Sequence, residues 1–205
     1  SQGRYAIDDV VPLSSSRDTV GPMARSVADI ILLDEVLSGD TAAIQPADLS
    51  ELRLGVPRAY FYDDLHPETA RLIAATLEQL RAAGITLIEI EVPDLAAIQE
   101  ATQYPITAYE FPRDMQAYLA ETDITFDDLT GNIAATDIAT WAFFITTIEP
   151  VSDADYETAM DQRDQLRAAI AEAFAANDLD AIIFPTTPLP AAPISSVTES
   201  FDLSA

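Results

Sequence analysis

The sequence predicts an α/β fold, and three patterns along the chain indicate it. Residues 52–92 have the order strand, helix, strand, which is typical of a βαβ unit with parallel strands. Residues 67–84 and 152–177 show the apolar spacing of long amphipathic helices. The run "LDAIIFP", residues 179–185, has the length of a buried strand and leads into a proline-rich segment. At 205 residues, the chain is long enough for one domain with a sizeable core.

The first predicted element is a helix over residues 25–38. Its apolar residues, among them Val27, Ile30 and Ile31, recur at helical spacing. Ser26, with Asp29 three residues later, indicates an N-terminal cap, and Gly39 follows as a stop signal. The sequence therefore predicts both ends of this helix.

The βαβ unit comes next. The run "LRLGVP", residues 52–57, predicts a buried strand that ends at its proline. In the helix that follows, Pro67 suits the first turn and Gly84 suits the C-terminal cap. Residues 85–92 alternate apolar and polar side chains, which predicts a strand with one face in water.

Residues 95–150 are less regular. Helix-forming residues dominate the first part, but Pro105 and Pro112 predict breaks in any helix there. The stretch "ITFDDLTGN", residues 124–132, has turn chemistry. Core packing is the favoured interpretation of an aromatic cluster near residue 142, and a ligand pocket is the alternative. That cluster consists of Trp141, Phe143 and Phe144.

The charge balance is strongly acidic, with 35 acidic and 10 basic residues and a net charge of −25. Such a field repels nucleic acids and anionic membranes, so we expect neither as a partner. Every basic residue is arginine, and 22 of the acids are aspartate. This composition favours adaptation to high salt, where carboxylates are screened from one another.

The absence of cysteine excludes disulfides, thiolate nucleophiles and cysteine metal sites. The single histidine, His66, cannot form a histidine-rich metal site and is interpreted as a surface residue at a helix start. No stretch predicts a membrane span or a signal peptide, so we expect a soluble, cytoplasmic protein.

The serines Ser14, Ser15 and Ser16 stand in the run "PLSSSRDTVGP" and invite interpretation as nucleophiles. A serine needs a base beside it, and the chain contains no lysine and no "GxSxG" pattern. These serines are therefore predicted to form a turn. Phosphate-binding glycine loops and calcium-binding loops are also missing, and no spacing singles out a catalytic pair of carboxylates.

Two segments nevertheless resemble the amidase signature family. Residues 3–40, "GRYAIDDVVPLSSSRDTVGPMARSVADIILLDEVLSGD", are similar to the segment that follows the catalytic serine loop of these enzymes. Residues 180–193, "DAIIFPTTPLPAAP", resemble the strand and proline-rich exit on their substrate side. Within the family, the first segment is most similar to indoleacetamide and mandelamide hydrolases.

The resemblance implies an α/β/α sandwich with a mixed central sheet and no metal or organic cofactor. It also implies amide hydrolysis through a Ser, cis-Ser, Lys acyl-enzyme mechanism. In the family, the lysine and the serine loop precede the segment that matches residues 3–40. We therefore expect residues 1–205 to be a single partial amidase domain, an internal fragment without catalytic residues, inactive alone.

The same resemblance assigns roles to a few residues. Tyr104, Thr186 and Thr187 are placed on the substrate side, although core or strand-end roles are equally compatible with them. Structural roles are implied for the motif residues Arg17, Asp18, Gly21 and Pro22: Asp18 caps the turn ahead of Gly21 and Pro22, and Arg17 pairs with a carboxylate.

Three readings of function remain open. The first is a fragment of an amidase that hydrolyses a small carboxamide, an arylacetamide in particular, to a carboxylic acid and ammonia. The second is the amidase subunit of a tRNA-dependent amidotransferase. The third is a non-catalytic acidic binding module descended from an amidase. The expected partners are a small amide and the remainder of the amidase chain, and a homodimer is left open.

Overall fold

The computed structural model describes residues 3–41, 44–143 and 150–191. Phe144, the side chain of Trp141 and the end of the proline-rich segment lie outside the described residues. The elements in chain order are α1 (Val27–Ser38), β1 (Arg53–Pro57), α2 (Pro67–Ala82), β2 (Thr86–Ile90), α3 (Leu95–Leu119), α4 (Phe126–Gly131), α5 (Thr136–Phe143), α6 (Asp153–Asn177) and β3 (Ala181–Ile182).

The chain divides into two compact units. The first comprises Ser1–Pro46 and Thr102–Met160, and the second comprises Ala47–Ala101 and Asp161–Ala205. The first unit is helical, with a core of α3 side chains packed against residues from α4 and beyond. Its buried members are Ala108, Phe111, Met115 and Leu119, with Phe126, Leu129 and Val151 packed on them.

The second unit contains a three-stranded parallel sheet in the order β2-β1-β3. Gly55 in the central strand lies opposite Ile88 on one side and Ile182 on the other. A side chain at Gly55 would meet the ends of the Leu179 and Ile90 side chains at 2.7 and 2.8 Å, so both of these would have to move to admit it. The predicted parallel pairing of the two strands of the βαβ unit is confirmed.

The predicted helix ends in the first half of the chain are also confirmed. Ser26 caps α1, since its side chain accepts a hydrogen bond from the Asp29 N–H, and Gly39 ends the helix with φ of 70°. Pro67 begins α2. Gly84 has φ of 97° and donates to the Arg81 carbonyl, while Ile85 donates to Leu80, which is the Schellman pattern.

Three predictions for the second half are wrong. Pro105 and Pro112 do not break the chain into separate helices, because both lie inside the 25-residue α3. Buried apolar side chains along α3, such as Ile106 and Phe111, hold the helix together across each missing proline N–H. Most of the predicted turn at 124–132 is instead a short helix, α4, which covers residues 126–131. A reciprocal capping box between Thr125 and Asp128 begins it.

The third wrong prediction concerns β3, which is neither long nor fully buried. Only Ala181 and Ile182 form the strand, and Ala181 is exposed. Pro185 has no N–H and so cannot donate to a continued ladder. None of the described helices is long and apolar enough to cross a membrane.

Candidate functional site

A crevice with a cavity volume of about 460 Å³ lies at the carboxyl ends of the strands in the second unit. It is lined from the segment 60–64, which follows β1, from the segment 184–188, which follows β3, and by Ala96 at the start of α3. We call it the strand-end crevice. From β1 the chain goes first to β2 on one side and later to β3 on the other, so the crevice lies where the strand order reverses. Parallel sheets bind ligands at this position.

Aromatic rings form much of the crevice wall. Phe61 and Phe184 are stacked, with ring centroids 4.1 Å apart and planes 24° apart. Tyr60 meets Phe61 edge to face, with centroids 5.1 Å apart. Tyr60 and Phe184 each remain 42% exposed, so part of each residue is open to solvent. The wall can therefore pack against an apolar or aromatic group.

Hydrogen bonds tie the two segments of the crevice to each other. The Tyr62 hydroxyl donates to the Ile183 carbonyl over 2.9 Å, and the His66 N–H donates to the Pro188 carbonyl over 3.0 Å. Inside the first segment, the Tyr60 N–H donates to Asp63 Oδ2 over 2.8 Å and holds Tyr60 at φ of 74°. A left-handed tyrosine is uncommon, and this bond fixes the ring at the crevice.

The two threonines that the sequence assigned to the substrate side differ in position. Thr186 lines the strand-end crevice. Thr187 donates its hydroxyl to the Leu189 carbonyl over 3.0 Å, which shapes the exit from β3. Tyr104 lies on α3 in the first unit and is 41% exposed. Substrate binding by these three residues stays a prediction.

The triple serine forms a turn in the first unit, and every backbone N–H from residue 13 to residue 18 has an acceptor between 2.7 and 3.2 Å away. The acceptors are Asp18 Oδ2 for residues 13 and 14, Asp114 Oδ2 for 15, Glu110 Oε2 for 16, and the Ser14 carbonyl for 17 and 18. The predicted turn is confirmed, and Asp18 caps it from within.

Glu110 is a buried carboxylate beside this turn, only 4% exposed. It accepts hydrogen bonds from the hydroxyls of Ser14 and Tyr156, the latter over 2.6 Å, and from the Ser16 N–H. Burial raises the pKa of Glu110, but the hydrogen bonds from Ser14, Tyr156 and Ser16 together outweigh burial and hold the pKa below its ordinary value of 4.5. The carboxylate is thus an anchor for the turn.

This arrangement does not make Ser14 a nucleophile. Its side chain is 2% exposed, and its hydroxyl donates to a carboxylate whose lowered pKa makes it a weak base. No group of three or more His, Cys, Asp and Glu side chains in the described part of the chain can hold a metal ion. Among the described residues, the strand-end crevice is the candidate place for a ligand.

The other motif residues have structural surroundings. Arg17 donates to the main-chain carbonyls of Thr102 and Gln103, over 2.9 and 3.3 Å, in the turn of α3 that precedes Pro105. These bonds attach the turn that contains the serines to the first part of α3. The pairing of Arg17 with a carboxylate stays a prediction. Gly21 faces open space, and Pro22 is half-buried.

Sequence reasoning missed most of the crevice. The sequence did not identify four of the lining residues as part of a site: Tyr60, Phe61, Asp64 and Phe184. The signal was present in "AYFYDD", residues 59–64, because aromatic and acidic residues directly follow the strand that becomes the centre of the sheet. Nothing in the local sequence indicated that Glu110 is buried and anchors the turn, since its serine partners lie about 95 residues earlier in the chain.

Comparison with known proteins identifies the family. The Amidase family model matches residues 1–204. An indoleacetamide hydrolase of Rhizobium radiobacter is 38% identical over 195 residues, which are 94% of this chain and 42% of that protein. A mandelamide hydrolase of Pseudomonas putida is 34% identical, over 91% of this chain and 39% of that protein. The chain thus spans about two fifths of the length of these relatives.

A solved amidase crystal structure has the same fold. It matches with a TM-score of 0.75 and 26% identity, over 96% of this chain and 41% of that one. The predicted α/β class is confirmed, as is the resemblance to indoleacetamide and mandelamide hydrolases. On both sequence and structure, this chain belongs to the amidase family.

Proposed function

We propose that this chain is part of an amidase that hydrolyses a small arylacetamide to a carboxylic acid and ammonia. The observation that carries the proposal is the strand-end crevice, whose stacked Phe61 and Phe184 suit an aromatic acyl group. The names of the relatives, indoleacetamide and mandelamide hydrolase, support the same substrate class.

The proposed chemistry needs residues that this chain does not contain. A serine of the parent polypeptide attacks the amide carbonyl, ammonia leaves, and water then cleaves the acyl-enzyme to release the acid. A lysine acts as base through a cis-serine, and this sequence has no lysine. In this proposal the chain contributes a wall of the substrate site and the framework behind it.

Exposed apolar surface supports the idea that further polypeptide covers this chain. No residue of α1 is buried, and Val27, Val36 and Leu32 are exposed by 75%, 74% and 60%. The outer edges of β2 and β3 have no partner strand among the described residues. Surfaces of this kind are normally covered by more of the same domain or by a partner.

The test is ammonia release from phenylacetamide and indoleacetamide by this chain and by the complete product of its gene. We expect release by the complete product and none by the 205-residue chain. Hydrolysis by this chain alone would contradict the proposed division of labour. If the gene encodes nothing beyond these residues, the amidase proposal fails and a binding module becomes the better explanation.

A further inference from the structure

The strand-end crevice has an uneven distribution of charge. Two carboxylates, Asp63 and Asp64, line it, and its described lining contains no basic side chain. Arg58 lies nearby in sequence but is not part of the lining. Its guanidinium forms an ion pair with Glu89 over 2.8 Å and lies 4.7 Å from the Tyr62 ring centre. The crevice is therefore negative, within a chain that carries a net charge of −25.

The aromatic wall adds a second attraction for positive charge. The face of an aromatic ring is the negative side of its quadrupole and attracts a cation within about 6 Å. Tyr60 and Phe184 keep 42% of their surface exposed, so their rings are accessible to a ligand. Rings and carboxylates line the same cavity of about 460 Å³, which falls in the usual range of about 300–1,000 Å³ for small-molecule sites.

We propose that the strand-end crevice binds a small organic ammonium ion, an apolar ring or short chain that carries a protonated amine. The ring packs on Phe61 and Phe184, and the ammonium lies towards Asp63 and Asp64. The inference deepens the proposed function and rests on it in one respect, since the ammonium would belong to the acyl part of the amide substrate. Substrates would then be amino-substituted amides.

Other ligand classes fit the crevice less well. An anion would be repelled by both carboxylates, and a neutral arylacetamide would gain nothing from them. A bare metal ion prefers several oxygen ligands, whereas Asp63 Oδ2 already accepts the Tyr60 N–H and no metal-binding group of side chains occurs among the described residues. An organic cation uses the rings and the charges together.

The experiment is calorimetric titration of the 205-residue chain with three probes of similar shape. These are 2-phenylethylamine, which is protonated at neutral pH, the neutral phenylacetamide, and the anion phenylacetate. We expect the amine to bind at least tenfold more tightly than phenylacetamide, and phenylacetate to bind least. Molar salt should weaken binding of the amine and leave that of phenylacetamide nearly unchanged.

The matched variants are Asp64→Asn in the crevice and Asp178→Asn outside it. Both aspartates are exposed and have positive φ, 51° and 52°, a conformation that asparagine tolerates. Asp64→Asn should weaken binding of the amine about fivefold, the effect of one surface charge worth ~1 kcal/mol. Asp178→Asn should leave it unchanged. Asp63→Asn, which keeps an acceptor for the Tyr60 N–H, provides the second crevice variant.

The outcomes separate this inference from the proposed function. Equal binding of amine and phenylacetamide, or equal effects of Asp64→Asn and Asp178→Asn, would overturn the ammonium site and leave a neutral-amide amidase intact. Binding of the amine by this chain, together with a complete gene product that hydrolyses no amide, would support the site and sink the enzymatic proposal. No binding of the amine at all would overturn the inference.

Discussion

At the scale of single residues, Glu110 connects α3 to the serine turn and to α6 in the first unit. Its carboxylate is buried and accepts hydrogen bonds from Ser14, Ser16 and Tyr156. The substitution Glu110→Gln keeps the size but replaces one acceptor oxygen with a donor. We expect it to reduce the free energy of unfolding at pH 7 by about 2 kcal/mol, as measured by urea denaturation.

The cost of Glu110→Gln should depend on pH with a definite sign. The folded-state pKa of Glu110 is lowered, so its contribution is complete above the ordinary value of 4.5 and declines as the pH falls through the folded value. The difference between wild type and variant should therefore shrink between pH 5 and pH 3. Tyr156→Phe is the comparison variant, because it removes the hydroxyl that donates to Glu110 and leaves both the carboxylate and the ring stacked on Tyr109 in place. An equal difference at both pH values would contradict this account.

At the scale of secondary-structure elements, the prolines inside α3 are the unusual feature. A proline costs about 3 kcal/mol relative to alanine in the middle of a helix. Because Pro112 lies inside a continuous α3, Pro112→Ala restores an N–H that can donate to the Ala108 carbonyl. We expect thermal unfolding to show a gain of about 1 to 3 kcal/mol, reduced by the greater freedom of the unfolded chain.

Gln116→Ala on the same helix is the control for this substitution. Gln116 is exposed, and glutamine and alanine have similar helix propensities, so the stability should change by less than about 0.5 kcal/mol. A loss of stability in Pro112→Ala would instead indicate that the residue belongs to a real interruption of the helix.

The elements that the sequence predicted well are those with local signals. The cap at Ser26 and the glycine ends at Gly39 and Gly84 depend on residues within a few positions of one another. The errors arise where distant packing decides, as in α3, whose buried side chains override two prolines. The strand-end crevice was missed for the same reason, since its stacked rings, Phe61 and Phe184, are far apart in sequence and the sheet brings them together. Thr186 was identified through family resemblance and not through local pattern.

At the scale of the whole molecule, charge is the dominant property. Ten arginines cannot neutralise 35 acids, and the repulsion among carboxylates opposes the folded state. Screening lengths fall from about 10 Å at 0.1 M salt to about 3 Å at 1 M. We expect the thermal midpoint to rise by several degrees between 0.1 M and 2 M potassium chloride. A midpoint that does not respond to salt would argue against salt adaptation.

The order of strands in the sheet also matters while the chain is being made. Gly55 and Ile182 are neighbours in the sheet but 127 positions apart in sequence, so one edge of β1 stays unpaired while the intervening residues are synthesised. At roughly 5–20 residues per second, that interval is about 6 to 25 seconds. Once Ile90 has completed β2, 92 of these residues remain to be made before Ile182, and a β1–β2 pair formed by then would expose an open edge that other chains can join. Chaperone demand in the cell should therefore depend on how quickly the ribosome reaches residue 182.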